Sequence, residues 1–541
     1  MIRQFKIYFI FFLIFNIKAL HSQVNKEWIV RYGADGIDGG NSIVTDDSGN
    51  VYVTGSDGGP TNYDFVTIKY STSGMQRWVA RYNEAGNSSD GAYSIKIDNE
   101  GNVIVTGESV GIGTGADYTT IKYNASGVQQ WVARYSTIGN RRDASYAVAI
   151  DNSNNIYASG ESANNIGGID YLTIKYNSSG NQLWIAKYNQ GQNSSNRAFA
   201  ITCDSKGNVY VTGVSDGDFA TVKYNSSGVQ QWVARYNGDI NDNDEGKAIA
   251  VDALGNVYVS GSSVGAMFYY DYATVKYNSS GIEQWVRRYN GTSNFQDQLR
   301  SMIVDEIGNV YITGNGTETG HGYDFVTIKY NTIGDTLWKA SYHNGPNDIA
   351  FAIALDNYGS VYVTGESDGN ATGEDYATVK YDSAGIQQWV TRYNYSGMFG
   401  DYPASIAADQ NGSVYVTGQS NRDMLTIKYS QLTGVSSNFS KIPKEFFLSQ
   451  NYPNPFNPVT KLGFGLPAEA SAQAGISKLG FVSLKVFNVM GEEVTTLVNE
   501  NKSPGIYEVE FDGSHYPSGI YFYSLEIDGS LTDTKRMILL K

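Results

Sequence analysis

Short runs of alternating apolar and polar residues, separated by glycine-containing turns, fill the chain from about residue 27 to 430. Tyr93 to Ile97 alternates, Asp98-Asn99-Glu100-Gly101-Asn102 reads as a turn, and Val103 to Thr106 is a β-rich run. Alternation around such a turn predicts a hairpin. A second hairpin follows: Asp117 to Tyr123, a turn at Asn124-Ala125-Ser126-Gly127, and a return strand from Gln129 to Tyr135. Each unit therefore predicts four strands, lettered A to D. Period-2 alternation puts Trp131, Ala133 and Tyr135 on one face of strand D, with Val132 and Arg134 on the other.

The unit recurs eight times, and every tryptophan belongs to it: Trp28, Trp78, Trp131, Trp184, Trp232, Trp285, Trp338 and Trp389, spaced 48 to 53 residues apart. A fixed period of that size means an array or a closed ring of modules. The A–B turn glycine recurs at Gly49, Gly101, Gly207, Gly255, Gly308, Gly359 and Gly412, and Asn154 takes its place in the third copy. Asparagine is a good substitute for glycine at positive φ, so the exception supports the turn. The A–B and C–D turns are short and nearly constant, whereas the B–C and D–A loops vary. Eight antiparallel four-stranded units fit an all-β, eight-bladed β-propeller. The array begins with a lone D-type strand, Glu27 to Tyr32, and ends with A, B and C, Ala404 to Tyr429. These ends together make an eighth set, which predicts a ring closed by the N-terminal strand.

Charges follow the same phase. An Asp opening strand C and an Arg of strand D lie 17 residues apart: Asp64 and Arg81, Asp117 and Arg134, Asp218 and Arg235, Asp271 and Arg288, Asp375 and Arg392. Such cross-strand pairs stabilise a sheet by about 0.2–1 kcal/mol each. Asp423 should then meet Arg31 across the closure. Lys187 stands in for the Arg opposite Asp170, and in the sixth unit Ser341 faces Asp324, with Lys339 nearby as the expected compensation.

Composition changes this picture at the ends. Arg3 and Lys6 precede an apolar stretch from Ile7 to Ile17, so residues 1–22 read as a secretory signal cleaved near Ser22. Residues 23–430 are the repeats, 431–446 a Ser- and Asn-containing linker, and 447–541 a separate domain. A net charge of −15 argues against a nucleic-acid partner. Cys203 is the sole cysteine, so no intramolecular disulfide is available. After the linker, the proline cluster Asn451 to Pro458 cannot be a central strand. Short strands at Val482 to Asn488, Gly505 to Phe511, Gly519 to Glu526 and Thr532 to Leu540 predict a small Ig-like antiparallel sandwich.

Two resemblances rest on these residues. Gly-Asn-Val-Tyr-Val-Thr-Gly and the Tyr-x-Thr-Ile-Lys-Tyr segments resemble the bacterial SBBP β-propeller repeat over about residues 27–430. That family name implies seven blades and no particular reaction, whereas eight sets of strands are present here. The C-terminal domain resembles the type A sorting domain of the type IX secretion system. Asn451 to Pro458, Phe487 to Val494, Ser518 to Tyr521 and Thr534 to Lys541 carry the likeness, and Ala468 to Lys478 looks inserted. The resemblance implies recognition by the outer-membrane translocon, then release or attachment at the cell surface, with no transmembrane segment in the mature protein.

Candidate chemistry is sparse. Of four histidines, His21 lies in the signal and His321, His343 and His515 are scattered, so neither a metal set nor a Ser-His-Asp arrangement is expected. No catalytic, cofactor-binding or metal residue is assigned. Asp98-type residues at turn starts read as caps for backbone N–H groups. The Lys122-type residues should reach a carboxylate or the rim, because lysine is rarely buried unpaired. Asp239 to Glu245 resembles part of a calcium loop, but Asp244 stands where glycine is required, which leaves calcium as an incomplete match. Antiparallel order sends the B–C and D–A loops to one face, where recognition is expected. Candidate ligand residues are Met267, Phe268, Tyr269 and Tyr270 in one B–C loop, and Tyr395, Met398, Phe399 and Tyr402 in one D–A loop. The expected role is a secreted or surface-attached binding or scaffold protein whose ligand is a glycan or a protein. The alternative is an extracellular carbohydrate-active hydrolase or lyase using channel carboxylates.

Overall fold

The computed structural model describes residues 24–541 except 34–35, 60–61, 85–88, 138, 140, 165–166, 192–193, 241, 266, 319, 321, 370–372, 396–399, 432–445, 452–453, 467–479 and 503–504. The expected signal segment, His321, Met398 and Phe399 therefore lie outside the described residues. The chain divides into two compact units, Met1–Leu432 and Thr433–Lys541.

The first unit contains eight four-stranded antiparallel sheets. Sheet one runs through Gly39–Thr45, Val51–Gly58, Tyr63–Tyr70 and Gln76–Tyr82. Sheets two to seven repeat that order, opening near Asp90, Asp143, Asn196, Asp244, Gln298 and Asp348. Sheet eight takes Asp401–Ala408, Val414–Ser420 and Asp423–Gln431 from the end of the repeats and Val24–Tyr32 from their beginning. Each strand A packs against strand A of the next sheet, and strand A of sheet eight packs against that of sheet one.

Sheet eight copies the others in detail. In sheet two Arg134 lies opposite Thr119, and a bulge in strand D precedes Trp131. In sheet eight Arg31 lies opposite Leu425, and a bulge precedes Trp28. The register places each Arg two residues along from the Asp that opens strand C, so the pair closes diagonally instead of directly across. Five pairs form as expected, with N···O separations of 2.6 Å for Arg134–Asp117 and Arg235–Asp218, 2.8 Å for Arg288–Asp271, and 2.9 Å for Arg392–Asp375 and Arg31–Asp423. Three sheets depart. Arg81 pairs with Asp57 on strand B, and Asp64 instead accepts from Asn62. Lys187 turns to Ser162, and Asn189 serves Asp170. Lys339 pairs with Glu318, and His343 serves Asp324. Lys187 cannot copy the guanidinium fork, and in each of the three sheets a neighbouring side chain serves the Asp instead.

The turns explain the repeated residues. Gly101 at φ 78° and Asn154 at φ 58° share the left-handed conformation of the A–B turn. Asp98 accepts the backbone N–H groups of Glu100 and Asn102, and its counterparts do the same. A tyrosine two residues into strand B then donates to that Asp, as Tyr157 does to Asp151 at 2.7 Å. Sheet two has Ile104 there, and Lys122 fills the gap with a 2.8 Å ion pair to Asp98. In other sheets the lysine lies over the tyrosine ring, as Lys175 does over Tyr157, and Lys175, Lys223, Lys276 and Lys428 also reach a carbonyl of the following sheet.

Each tryptophan joins neighbouring sheets. The Trp131 indole N–H donates to the Ser178 carbonyl in the next C–D turn, and Gly180 lies against the ring. A Cβ on Gly180 would fall 2.7 Å from the indole, and φ there is +83°, so both contact and conformation demand glycine. The same donation recurs for Trp28, Trp78, Trp184, Trp232, Trp285 and Trp338. Trp389 differs: it faces the sheet whose C and D strands come from opposite chain ends, and its Nε1 has no partner among the described residues. Between sheets, apolar cores alternate with these latches. One holds Ile104, Tyr118, Val148, Ile156, Leu172 and Ile174, with Trp131, Ala133 and Tyr135 packed on it as the alternation requires.

The second unit has a three-stranded sheet (Phe447–Leu448, Val459–Leu466, Gly505–Asp512) and a four-stranded one (Glu493–Lys502, Gly480–Phe487, Gly519–Ile527, Ser530–Leu539). Both contribute to one core that includes Leu462, Phe464, Leu484, Tyr523 and Met537. Strands Val459–Leu466 and Glu493–Lys502 were not anticipated from the sequence. Among the described residues no helix is long and apolar enough to cross a membrane.

Candidate functional site

The variable loops place the sequence candidates in two patches. Met267 and Phe268 project into solvent at 65% and 75% exposure, with Phe268 held at φ 62°. Tyr269 meets Phe295 edge-on at 5.4 Å, bringing in an exposed D–A loop aromatic that sequence reasoning missed. Tyr270 is half-buried, and its carbonyl accepts the N–H of Asp297. In the second patch the Arg31 guanidinium lies 4.1 Å over the Tyr395 ring, while the Tyr395 N–H bonds Asp401. Tyr402, exposed and next to Asp401, sits near Glu374 and Glu366, whose charges add to burial in raising its pKa.

A third feature lies on the A strands, which pack against one another from sheet to sheet. Every strand A has a bulge at the same place, with one residue left unpaired: Asn41, Tyr93, Tyr146, Phe199, Lys247, Arg300, Phe351 and Ala404. A bulge re-aims a side chain without ending the strand. Several of these residues meet across adjacent A strands, and the copies disagree there. Tyr93 and Tyr146 lie 5.9 Å apart, Tyr146 and Phe199 6.2 Å, and Lys247 stands 4.0 Å from the Phe199 centroid.

A charged chain borders this aromatic arc. Tyr93 donates to Glu108 at 2.6 Å, Arg142 donates to Glu108 at 3.0 Å and pairs with Glu161, and Arg197 pairs with Glu161 at 2.8 Å. Burial opposes the Arg142 charge, but its bonds to Glu108 outweigh that and raise its pKa. Arg142 and Arg197 remain about half exposed, so the arc offers both ring faces and charged donors. Further round the circuit, Arg300 lies over Phe351. There Glu366 is pushed up to about 7 by burial and by the neighbouring Glu374.

The acidic stretch 239–245 does not converge on one point among its described residues. Asp244 opens strand A of sheet five and accepts N–H groups of Gly238 and Val264. Glu245 pairs with Lys247, and Asp239 lies 3.5 Å from Arg288. By contrast, His343 meets Asp324 and Asp348, a meeting hidden in the sequence because the two carboxylates open strands of adjacent sheets.

Comparison with known proteins finds matches in both units. The SBBP β-propeller repeat family matches residues 27–56, 231–268 and 388–423, and the secretion system C-terminal sorting domain matches residues 450–540. Three stretches of the chain thus match β-propeller repeats, and its C-terminal residues match a secretion-system sorting domain. It is also similar to the regulatory protein FlaEY of Caulobacter vibrioides, at 26% identity over 23% of this chain and 16% of that protein. An uncharacterized WD repeat-containing protein of Acanthamoeba polyphaga mimivirus is 27% identical over 26% of this chain and 11% of its own length. The matched stretches thus span under a fifth of either relative. A solved structure of U3-55K aligns with a TM-score of 0.41 at 12% identity, covering 74% of this chain and 98% of that one.

In the propeller repeats, the inner arc was the main omission of sequence reasoning. Its signal was present: the residue three after the Asp or Asn that opens strand A changes from copy to copy while its neighbours persist. Alternation alone reads Tyr93 as one more strand residue, because periodicity does not reveal a bulge.

Proposed function

We propose that the eight sheets form an eight-bladed propeller closed by the N-terminal strand, and that it acts as a secreted or surface-attached binding protein for a glycan. Export to the cell surface or secretion follows from the sorting domain, which implies engagement of the type IX translocon. The inner arc carries the ligand reading. Tyr93, Tyr146 and Phe199 offer adjacent ring faces, and Arg142, Arg197 and Glu108 offer the donors and acceptors that sugar hydroxyls use. The loop patches around Phe268 and Tyr395 would extend this surface.

A glycan array probed with the mature chain tests this reading. Binding without turnover is expected, and Tyr146→Ala should weaken it by about tenfold, the equivalent of about 1.4 kcal/mol. Binding that survives this change while Phe268→Ala abolishes it would move the site to the loops, and a protein ligand would show as a silent array. The hydrolase or lyase reading draws on Glu366 beside Glu374 and would show as product formation lost in Glu366→Gln.

A further inference from the structure

In five sheets the corner where strand C opens is filled by a guanidinium: Arg31, Arg134, Arg235, Arg288 and Arg392 each reach the local Asp. Sheet six breaks this rule twice. Ser341 replaces the Arg, and Gly316 replaces the serine that in other sheets also serves it, as Ser367 serves Arg392. The vacated position is bordered by two buried carboxylates, Asp324 and Asp348 at 2% and 0% exposure, and by His343, whose ring reaches solvent.

The ring nitrogen Nδ1 of His343 lies 2.8 Å from Asp324 Oδ1 and 3.8 Å from Asp348 Oδ2. All three ligand atoms fall within 4.8 Å of one another. Metal–ligand bonds of about 2.0–2.1 Å in a tetrahedron set neighbouring ligand atoms about 3.3 Å apart. The two measured separations straddle that value, so small side-chain rotations would suffice. Other bonds orient Asp348: its Oδ2 accepts the N–H groups of Asn344 and Gly345 from the D–A loop, and its Oδ1 accepts from the Ser367 hydroxyl.

We propose that Asp324, His343 and Asp348 form a binding site for a divalent cation of the zinc class. The cation takes the place of the guanidinium charge that sheet six lacks. An imidazole nitrogen beside two carboxylates selects zinc-like ions over calcium and magnesium, which prefer all-oxygen shells. Among the described residues these three side chains supply the ligand atoms, and His343 reaches the solvent. Because Asp324 belongs to sheet six and Asp348 opens sheet seven, the ion would also tie two neighbouring sheets together.

Calorimetric titration of the mature full chain with zinc tests the proposal, with cobalt as a spectroscopic probe. One site with micromolar affinity is expected, together with a visible cobalt spectrum typical of low coordination. Zinc should raise Tm through preferential binding to the folded state. His343→Ala should abolish the site. Ser341→Arg restores the guanidinium of the sibling sheets and should exclude the metal while leaving Tm of the metal-free protein unchanged or higher. No micromolar binding by the parent chain would overturn the proposal, as would equal binding by the parent and both variants.

Discussion

Sheet eight and the seven continuous sheets differ in one covalent respect and agree in almost every other. They share the register and the bulge before the strand D tryptophan, and sheet eight has the Arg–Asp diagonal found in four of the seven. Only the C–D turn is absent, because Val24–Tyr32 and Asp423–Gln431 come from opposite ends of the repeats. A turn therefore is not what sets strand pairing here. Side-chain pattern and the neighbouring sheets suffice, as expected when one slip of register would turn every buried residue outward. What the missing turn does remove is the glycine-on-indole latch, which leaves Trp389 as the tryptophan without a hydrogen bond among the described residues.

The strongest test of this equivalence removes the N-terminal strand. Deleting residues 23–32 uncovers the Asp423–Gln431 edge and strips Trp28, Val30 and Tyr32 from the core around Ile43 and Val53. Cooperative melting should be lost, or Tm should fall by about 10 °C or more. A peptide of those residues added back should restore it, and an unchanged Tm would refute closure by this strand.

Next in size is the closing ion pair. Arg31→Ala removes bonds to Asp423 and to Ser420, and Arg134→Ala removes their counterparts at Asp117 and Ser109. Each should cost about 1.5–3 kcal/mol in denaturant unfolding, as for other hydrogen bonds to charged groups. A much larger loss at Arg31 would mean that the covalent turn does contribute to sheet strength.

Tryptophan substitutions separate the two kinds of sheet most directly. Trp131→Phe gives up the bond to Ser178 and should cost about 1 kcal/mol more than Trp389→Phe, which gives up none among the described residues. Equal losses would show that the indole N–H does not stabilise the sheet interface.

The smallest effect is on pH dependence. Both flanks of sheet eight carry a carboxyl raised by burial: Glu366 to about 7 on one side, and Asp38, also raised by its neighbour Asp57, on the other. A raised carboxyl favours the folded state fully below its ordinary pKa, and that stability is lost as pH rises through the folded value. Melting temperature should therefore decline between about pH 5 and about pH 7, and Glu366→Gln should flatten part of the decline. A variant profile parallel to that of the parent chain would exclude Glu366 as the titrating group.

Much of this was legible along the chain. Trp131, Gly127, Asp98 and Asp117 announce the unit because each meets a backbone or side-chain partner at a fixed offset. The failures have a common cause. Arg81 turns to Asp57, Lys187 to Ser162 and Lys339 to Glu318 because a long cation chooses among several acceptors within reach, and sequence spacing names only one. The candidate ligand residues show the same limit. Phe268 and Tyr395 were found as aromatics in variable loops, while Phe295, Tyr146 and His343 gain their neighbours through loop folding or from an adjacent sheet.

The sequence by itself determined the four-strand unit, its phase, its number of copies and the sorting domain that follows, since these depend on local alternation, turn chemistry and period. Tertiary structure decided which side chains meet between units. The bulge that swings Tyr93, Tyr146 and Phe199 toward one another, and the junction that sets His343 between Asp324 and Asp348, arise from packing one sheet against the next. The ring contacts join residues about one repeat apart, and the His343 contacts depend on how the loop between two sheets folds back, so alternation along one strand encodes neither.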